Sequence, residues 1–235
     1  MKESLYRIKA LAQKELKDFA KNKNISIACM LPLIIVFIFG LLSRNDENFP
    51  MSGMDLLSLG LSMNLVFVST FAMSMLIAEE KEKNTLRTLM LSSVKPYEFL
   101  LGKAIVIFVF GLLTNIAMYF FTGMDASYLH YYVMMTSVLS MIMMLVGASI
   151  GMMAKDQMST SIIGMPVVLL FLLLPVVAAA NKTIESITDL LPNQIIMSSI
   201  EETIQLGSFQ FTFLNNVLMV IWFGVSLGLF TYAYK

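Results

Sequence analysis

Six apolar stretches, each about 20 residues long and free of Asp, Glu, Lys and Arg in its interior, dominate the chain: 25–42, 56–78, 102–122, 131–153, 158–180 and 213–234. An α-helix rises about 1.5 Å per residue, so even the shortest stretch reaches roughly 27 Å, close to the thickness of a bilayer's hydrocarbon core. Inside that layer every backbone N–H and C=O must find its partner within the protein, which leaves helices and closed barrels. Uninterrupted apolar runs of this length point to helices. The expected fold is therefore all-α and integral to the membrane, with six transmembrane helices. Composition agrees: only 14% of the 235 residues are charged and 57% are hydrophobic, where a soluble domain would be about a quarter charged.

Positive charge orients the spans. Fourteen of the 16 Lys and Arg fall in the N-terminal arm, in the loop after the second span, at Lys155 and at Lys235; the other side has only Arg44 and Lys182. By the positive-inside rule both termini are expected in the cytoplasm of a multi-pass cell-membrane protein. Residues 1–24 read as a basic amphipathic helix, with Leu5, Ile8, Ala12, Leu16 and Phe19 at steps of three or four and lysines on the other faces. Such a helix suits the membrane surface. Residues 25–235 form the membrane domain. Between the fifth and sixth spans, residues 181–212 are too long for a turn. They read as two short helices, 183–191 and 193–206, lying at the outer interface or dipping back among the spans. The acidic residues Glu185, Asp189, Glu201 and Glu202 are expected on a solvated outer face.

The longest polar interruption is 79–101. It opens on Glu79, Glu80, Lys81 and Glu82, passes Asn84 and Thr85, and continues as an amphipathic piece in which Leu86, Leu89 and Met90 recur at helical spacing with Arg87 on another face. Lys95-Pro96 is expected to break that helix. A loop serving only for reach needs no apolar stripe, so the stripe suggests a protein partner. This stretch resembles the loop between the second and third membrane helices of ABC-2 type transporter permeases, Glu-Lys/Arg-Glu-x-Gly-Thr-Leu followed by Leu, a Ser/Thr-Pro region and Gly-Lys. Glu80, Lys81, Glu82, Thr85, Leu86, Leu89, Gly102 and Lys103 match it; Asn84 stands where the family commonly has glycine, and Pro96 comes slightly late. Asparagine is the next best residue at a left-handed helix terminus.

The resemblance implies a cytoplasmic coupling helix docked on a separate ABC ATPase subunit, with Glu79, Glu80, Lys81, Glu82, Asn84, Thr85, Leu86, Arg87, Leu89 and Met90 as coupling residues. It implies that the N-terminal helix is an elbow helix framing that docking surface, and that the 181–212 segment is re-entrant. ATP and Mg would be held by the partner, a second copy of the chain or a related permease would complete the pathway, and hydrophobic or amphipathic cargo would be exported. The alternative is a stand-alone six-span channel or carrier.

No catalytic or cofactor site is legible in this chain. It has no Gly-x-x-x-x-Gly-Lys-Ser/Thr loop, the nearest piece being Leu100–Ala104. One histidine (His130) and one cysteine (Cys29) exclude an internal disulfide and any readable Cys–His constellation. Zero net charge gives nucleic acid no electrostatic basis. The spans hold only mild polar residues, against an ion-coupled carrier. Of these, Asn64, Thr70 and Asn115 serve either interhelical hydrogen bonding or cargo contact. The 21 methionines suit a Cu(I) path or, with less chemistry required, pliable packing around varied cargo. Met141 and Met144 are the candidates for such a lining.

Overall fold

The computed structural model describes residues 2–45, 51–85, 95–178 and 182–234, which are helical with short turns and include no strand. In chain order the helices are α1 (Lys2–Lys21), α2 (Lys23–Asn45), α3 (Gly53–Glu82), α4 (Pro96–Phe121), α5 (Leu129–Met153), α6 (Gln157–Ala178), α7 (Lys182–Thr188), α8 (Pro192–Leu206) and α9 (Phe213–Tyr234). Six of them, α2 to α6 and α9, are long and apolar enough to cross a membrane, at the positions expected from sequence. Leu86, Arg87, Leu89 and Met90 lie outside the described residues.

Helix α3 is the axis of the bundle. Its apolar window is 89% buried, whereas that of α9 is 11% buried. Small residues let the neighbours approach. A Cβ on Gly147 of α5 would overlap Thr70 O, and one on Gly151 would come within 2.6 Å of Ser74 O. The Gly147-x-x-x-Gly151 pair thus sets the α5–α3 crossing. Gly224 and Gly228 of α9, at the same spacing, have nothing within 4 Å. Residues Asn64–Ala72 of α3 form a π-helical segment. There the Thr70 hydroxyl donates to Leu65 O (2.9 Å) and to Met143 O of α5 (3.3 Å), so the widened turn is also tied across the crossing. Helix α6 carries a shorter π segment, Leu169–Leu173, just before Pro175, where the ring removes a ladder donor.

Helix boundaries follow local chemistry. Ser52 and Asp55 form a capping box that starts α3, and Asp156 with Ser159 does the same for α6. Helix α4 begins six residues earlier than the apolar run suggests. Pro96 sits in its first turn, where a missing N–H is one of the orphan donors anyway, and Glu98 accepts the Lys95 N–H at 3.1 Å. The proline expected to break one helix therefore starts the next. Lys103, which reads as a loop charge, lies two turns inside α4 and is 1% exposed.

At the opposite end of the bundle α8 packs back against the spans. Ile196, Met197 and Ile200 join a core with Leu57, Leu61, Tyr132 and Met135, and the Asn193 amide donates to Ser62 Oγ of α3 at 2.9 Å. Gly207, in the left-handed conformation, ends α8. Helix α7 is shorter than the 183–191 reading, since the chain turns at Asp189–Leu191 to enter α8. Glu185, Asp189, Glu201 and Glu202 are exposed.

Helix α1 departs from the expected stripe. Leu5 and Leu16 are about 60% exposed, while Phe19 is buried and Ile8 and Ala12 are half-buried. The reason is α4, along which α1 runs in the same direction. Ser4 meets Tyr97, Arg7 meets Glu98, Leu11 packs at Gly102, Glu15 meets Lys103 and Phe19 meets Phe110. The face α1 buries is set by that contact rather than by apolar spacing alone.

Candidate functional site

Among the described residues the ion pairs gather at the start of the polar interruption. Three helices bring their charges together there. Lys103 of α4 donates to Glu15 of α1 at 2.8 Å and to Glu80 of α3 at 3.2 Å, and all three side chains are nearly fully buried. Lys14 donates to the same Glu80 oxygen at 2.6 Å and lies 3.7 Å from Asp18. Burial opposes the charge on Lys14, but the Glu80 hydrogen bond and the carboxylates of Glu15 and Asp18 outweigh it, so the ammonium is held above the ordinary lysine value. Arg7 and Glu98 add a further pair at 3.8 Å.

Each residue of the Glu-Lys-Glu run has a separate task. Glu79 accepts from the Asn22 amide at the α1–α2 junction, at 2.9 Å, and pairs with Lys83. Glu80 closes the ionic cluster and also takes the Thr85 hydroxyl. Lys81 donates to Met152 O at 2.6 Å and to Ala154 O, the free carbonyls at the end of α5. Glu82 accepts the Gln157 N–H at the start of α6, at 3.2 Å. A cation at a helix C-terminus and an anion at an N-terminus both suit the helix dipole. Asn84 has φ of 56°, the left-handed conformation that its place in the motif requires, and its N–H bonds to Lys81 O. The polar segment is thereby clamped to α1, α4 and the α5–α6 turn at once. A displacement of it must load all three.

Sequence reasoning found Glu79, Glu80, Lys81, Glu82, Asn84 and Thr85 but missed Lys14, Glu15 and Lys103 as their partners. A signal was available. Glu15 lies three residues after Ala12 and four before Phe19, hence on the buried side of α1, where a carboxylate needs a cation.

The candidate cargo residues separate into two groups. Asn64, Thr70 and Asn115 are buried in helix packing. The Asn64 amide donates to Gly111 O at 3.3 Å and to Thr114 Oγ1 of α4, and Thr70 bonds as described above. The two methionines instead line cavities. One of about 610 Å³ lies between α5, α8 and α9 and includes Met141. Another, of about 440 Å³, lies between α4, α5 and α9 and includes both Met141 and Met144. Met141 and Phe223 line both, so they sit between the two hollows. Both linings are almost wholly carbon and sulfur, suited to apolar matter.

Comparison with known proteins accords with this arrangement. No curated protein matches the chain significantly. The family model for the ABC-2 type transporter matches residues 6–188, from α1 through α7, which takes in the ionic cluster and the whole polar segment. That match covers well over half of the 235 residues, and the chain belongs to the ABC-2 type transporter family as a multi-pass membrane permease.

Proposed function

We propose that this permease is the membrane half of an ATP-driven exporter of hydrophobic or amphipathic cargo. A separate ABC ATPase, holding ATP and its Mg, docks on the segment 79–101 at the cytoplasmic face of the cell membrane. A second copy of the chain, or a related permease, completes the pathway. The observation that carries the reading is the Glu15–Lys103–Glu80 cluster. It joins the segment expected to meet the ATPase to α1 and α4, so work done at the docking surface has a stiff route into the spans. A nucleotide-driven partner acts only through contacts that differ between its two states. In this scheme those contacts are made by Leu86, Leu89 and Met90, with Arg87 beside them, while Glu79 to Thr85 hold the base of the segment in place. Helix α1 serves as the elbow that frames the docking surface. The cavities sharing Met141 and Phe223 supply an apolar path along α5 and α9, with Met144 on its α3–α4 side. Asn64 and Thr70 tie α3 to α4 and α5, and Asn115, buried in α4 with its amide oxygen unpartnered among the described residues, is the candidate for cargo contact.

Affinity purification in mild detergent, followed by mass spectrometry, tests the proposal. A P-loop ATPase is expected with the wild type and is expected to be lost from the Leu86→Asp, Leu89→Asp double variant, with the elution profile of the permease unchanged. Recovery of the permease alone under several gentle conditions would overturn the reading in favour of a stand-alone channel or carrier.

A further inference from the structure

At the end of the bundle away from α1, a hollow of about 580 Å³ opens between the start of α3, the α7–α8 turn, α8 and the start of α9. Small-molecule sites occupy roughly 300–1,000 Å³. One wall is apolar, built by Leu190, Leu214 and Leu218, and the rim carries the carboxylates of Asp55, Asp189 and Glu201. Among the described residues no lysine or arginine lines it. Asp55 is partly occupied by the Ser52 N–H and hydroxyl, and Glu201 by the Gln205 amide. The Asp189 carboxylate has no hydrogen bond or ion pair among the described residues.

Acceptors therefore exceed donors in this hollow, and the negative field is focused by a low-dielectric wall. Among the described residues this end holds the acidic Asp55, Asp125, Glu185, Asp189, Glu201 and Glu202 but only Arg44 and Lys182 of the lysines and arginines. Arg44 is committed elsewhere, over the Phe121 ring at 5.9 Å. Among the described residues no three His, Cys, Asp or Glu side chains are placed to hold a metal ion, so the carboxylates are spread too widely for a compact inorganic cation. Charge at the rim with an apolar wall beside it matches an ion whose charge rides on an apolar body.

We infer that this hollow binds a cationic amphipath, an organic cation of the ammonium, guanidinium or phosphonium kind attached to an apolar body. That such a ligand is cargo rests on the exporter reading; that it binds does not. The test uses the purified chain in phosphatidylcholine nanodiscs, with empty nanodiscs as reference and no ATPase. Tetraphenylphosphonium and tetraphenylborate, nearly equal in shape and opposite in charge, are the probes in equilibrium dialysis. The cation is expected to bind saturably and the anion to show only the partition seen with empty discs. The Asp189→Asn, Glu201→Gln double variant is expected to bind the cation about tenfold more weakly. Asp189→Lys is expected to reverse the preference between the probes. Both sites are exposed, so folding is not at stake. Equal binding of both ions, or of the cation by wild type and double variant, overturns the inference. If the cation binds as described and no ATPase accompanies the chain, the site stands and the exporter reading falls. If the ATPase accompanies it and the cation fails to bind, only this inference falls.

Discussion

Lys103→Met is expected to destabilise the protein by about 3–5 kcal/mol, because it leaves two buried carboxylates with one fewer cation and no access to water. Glu15 would lose its only close ammonium apart from Lys14 at 3.4 Å, which is itself half-exposed and shared with Glu80. For a chain of this size that loss corresponds to a fall of roughly 10 °C in the unfolding midpoint. The single cysteine provides the reporter. Cys29 is fully buried between the apolar residues of its core, so a thiol-reactive dye reads unfolding directly. Pairing the change with Glu15→Gln removes the stranded charge and is expected to restore at least half of the midpoint. A single variant as stable as the wild type would show that Lys103 is not what holds α1 against α3 and α4. A double variant no better than the single would show that the damage comes from lost packing rather than unpaired charge.

The second large effect is steric. Gly147→Ala places a methyl group inside the contact radius of Thr70 O, a backbone atom of the central helix that has no flexible end to swing aside. Overpacking of this kind costs about 1–3 kcal/mol where side chains can yield and more where backbone must move. Gly147→Ala and Gly151→Ala are each expected to reduce the amount of monodisperse protein recovered from membranes severalfold. The internal control is the other small-residue pair, since Gly224→Ala and Gly228→Ala meet open space in this chain and are expected to leave recovery unchanged. Equal recovery of all four variants would contradict the close α5–α3 crossing. Loss confined to the α9 variants would instead point to a partner helix on that outward face.

These two results mark where sequence reading stops. The Gly-x-x-x-Gly pattern occurs twice, and nothing in either copy distinguishes the one pressed on α3 from the one facing outward. Spacing shows that two residues share a helix face but not what that face meets. The same limit applies to the polar residues of the spans. The Asn64 amide N–H and the Thr70 hydroxyl bond to neighbouring helices, whereas Met141 and Met144 open onto cavities, although all four occupy similar apolar surroundings in the sequence. The Lys103–Glu15 pair joins residues 88 positions apart, with two spans between them.

The sequence by itself determined the six spans, their order and the polar interruption, because each is a local consequence of backbone satisfaction in hydrocarbon. It also contained the segment that folds back as α8, whose buried side recurs at helical spacing. Only the tertiary structure decided that α3 is the axis, that α1 runs beside α4, and that a lysine at the edge of an apolar run closes an ionic cluster with two glutamates. Those outcomes depend on which helix faces meet, and that is settled by the joint packing of several helices rather than by any one stretch of chain.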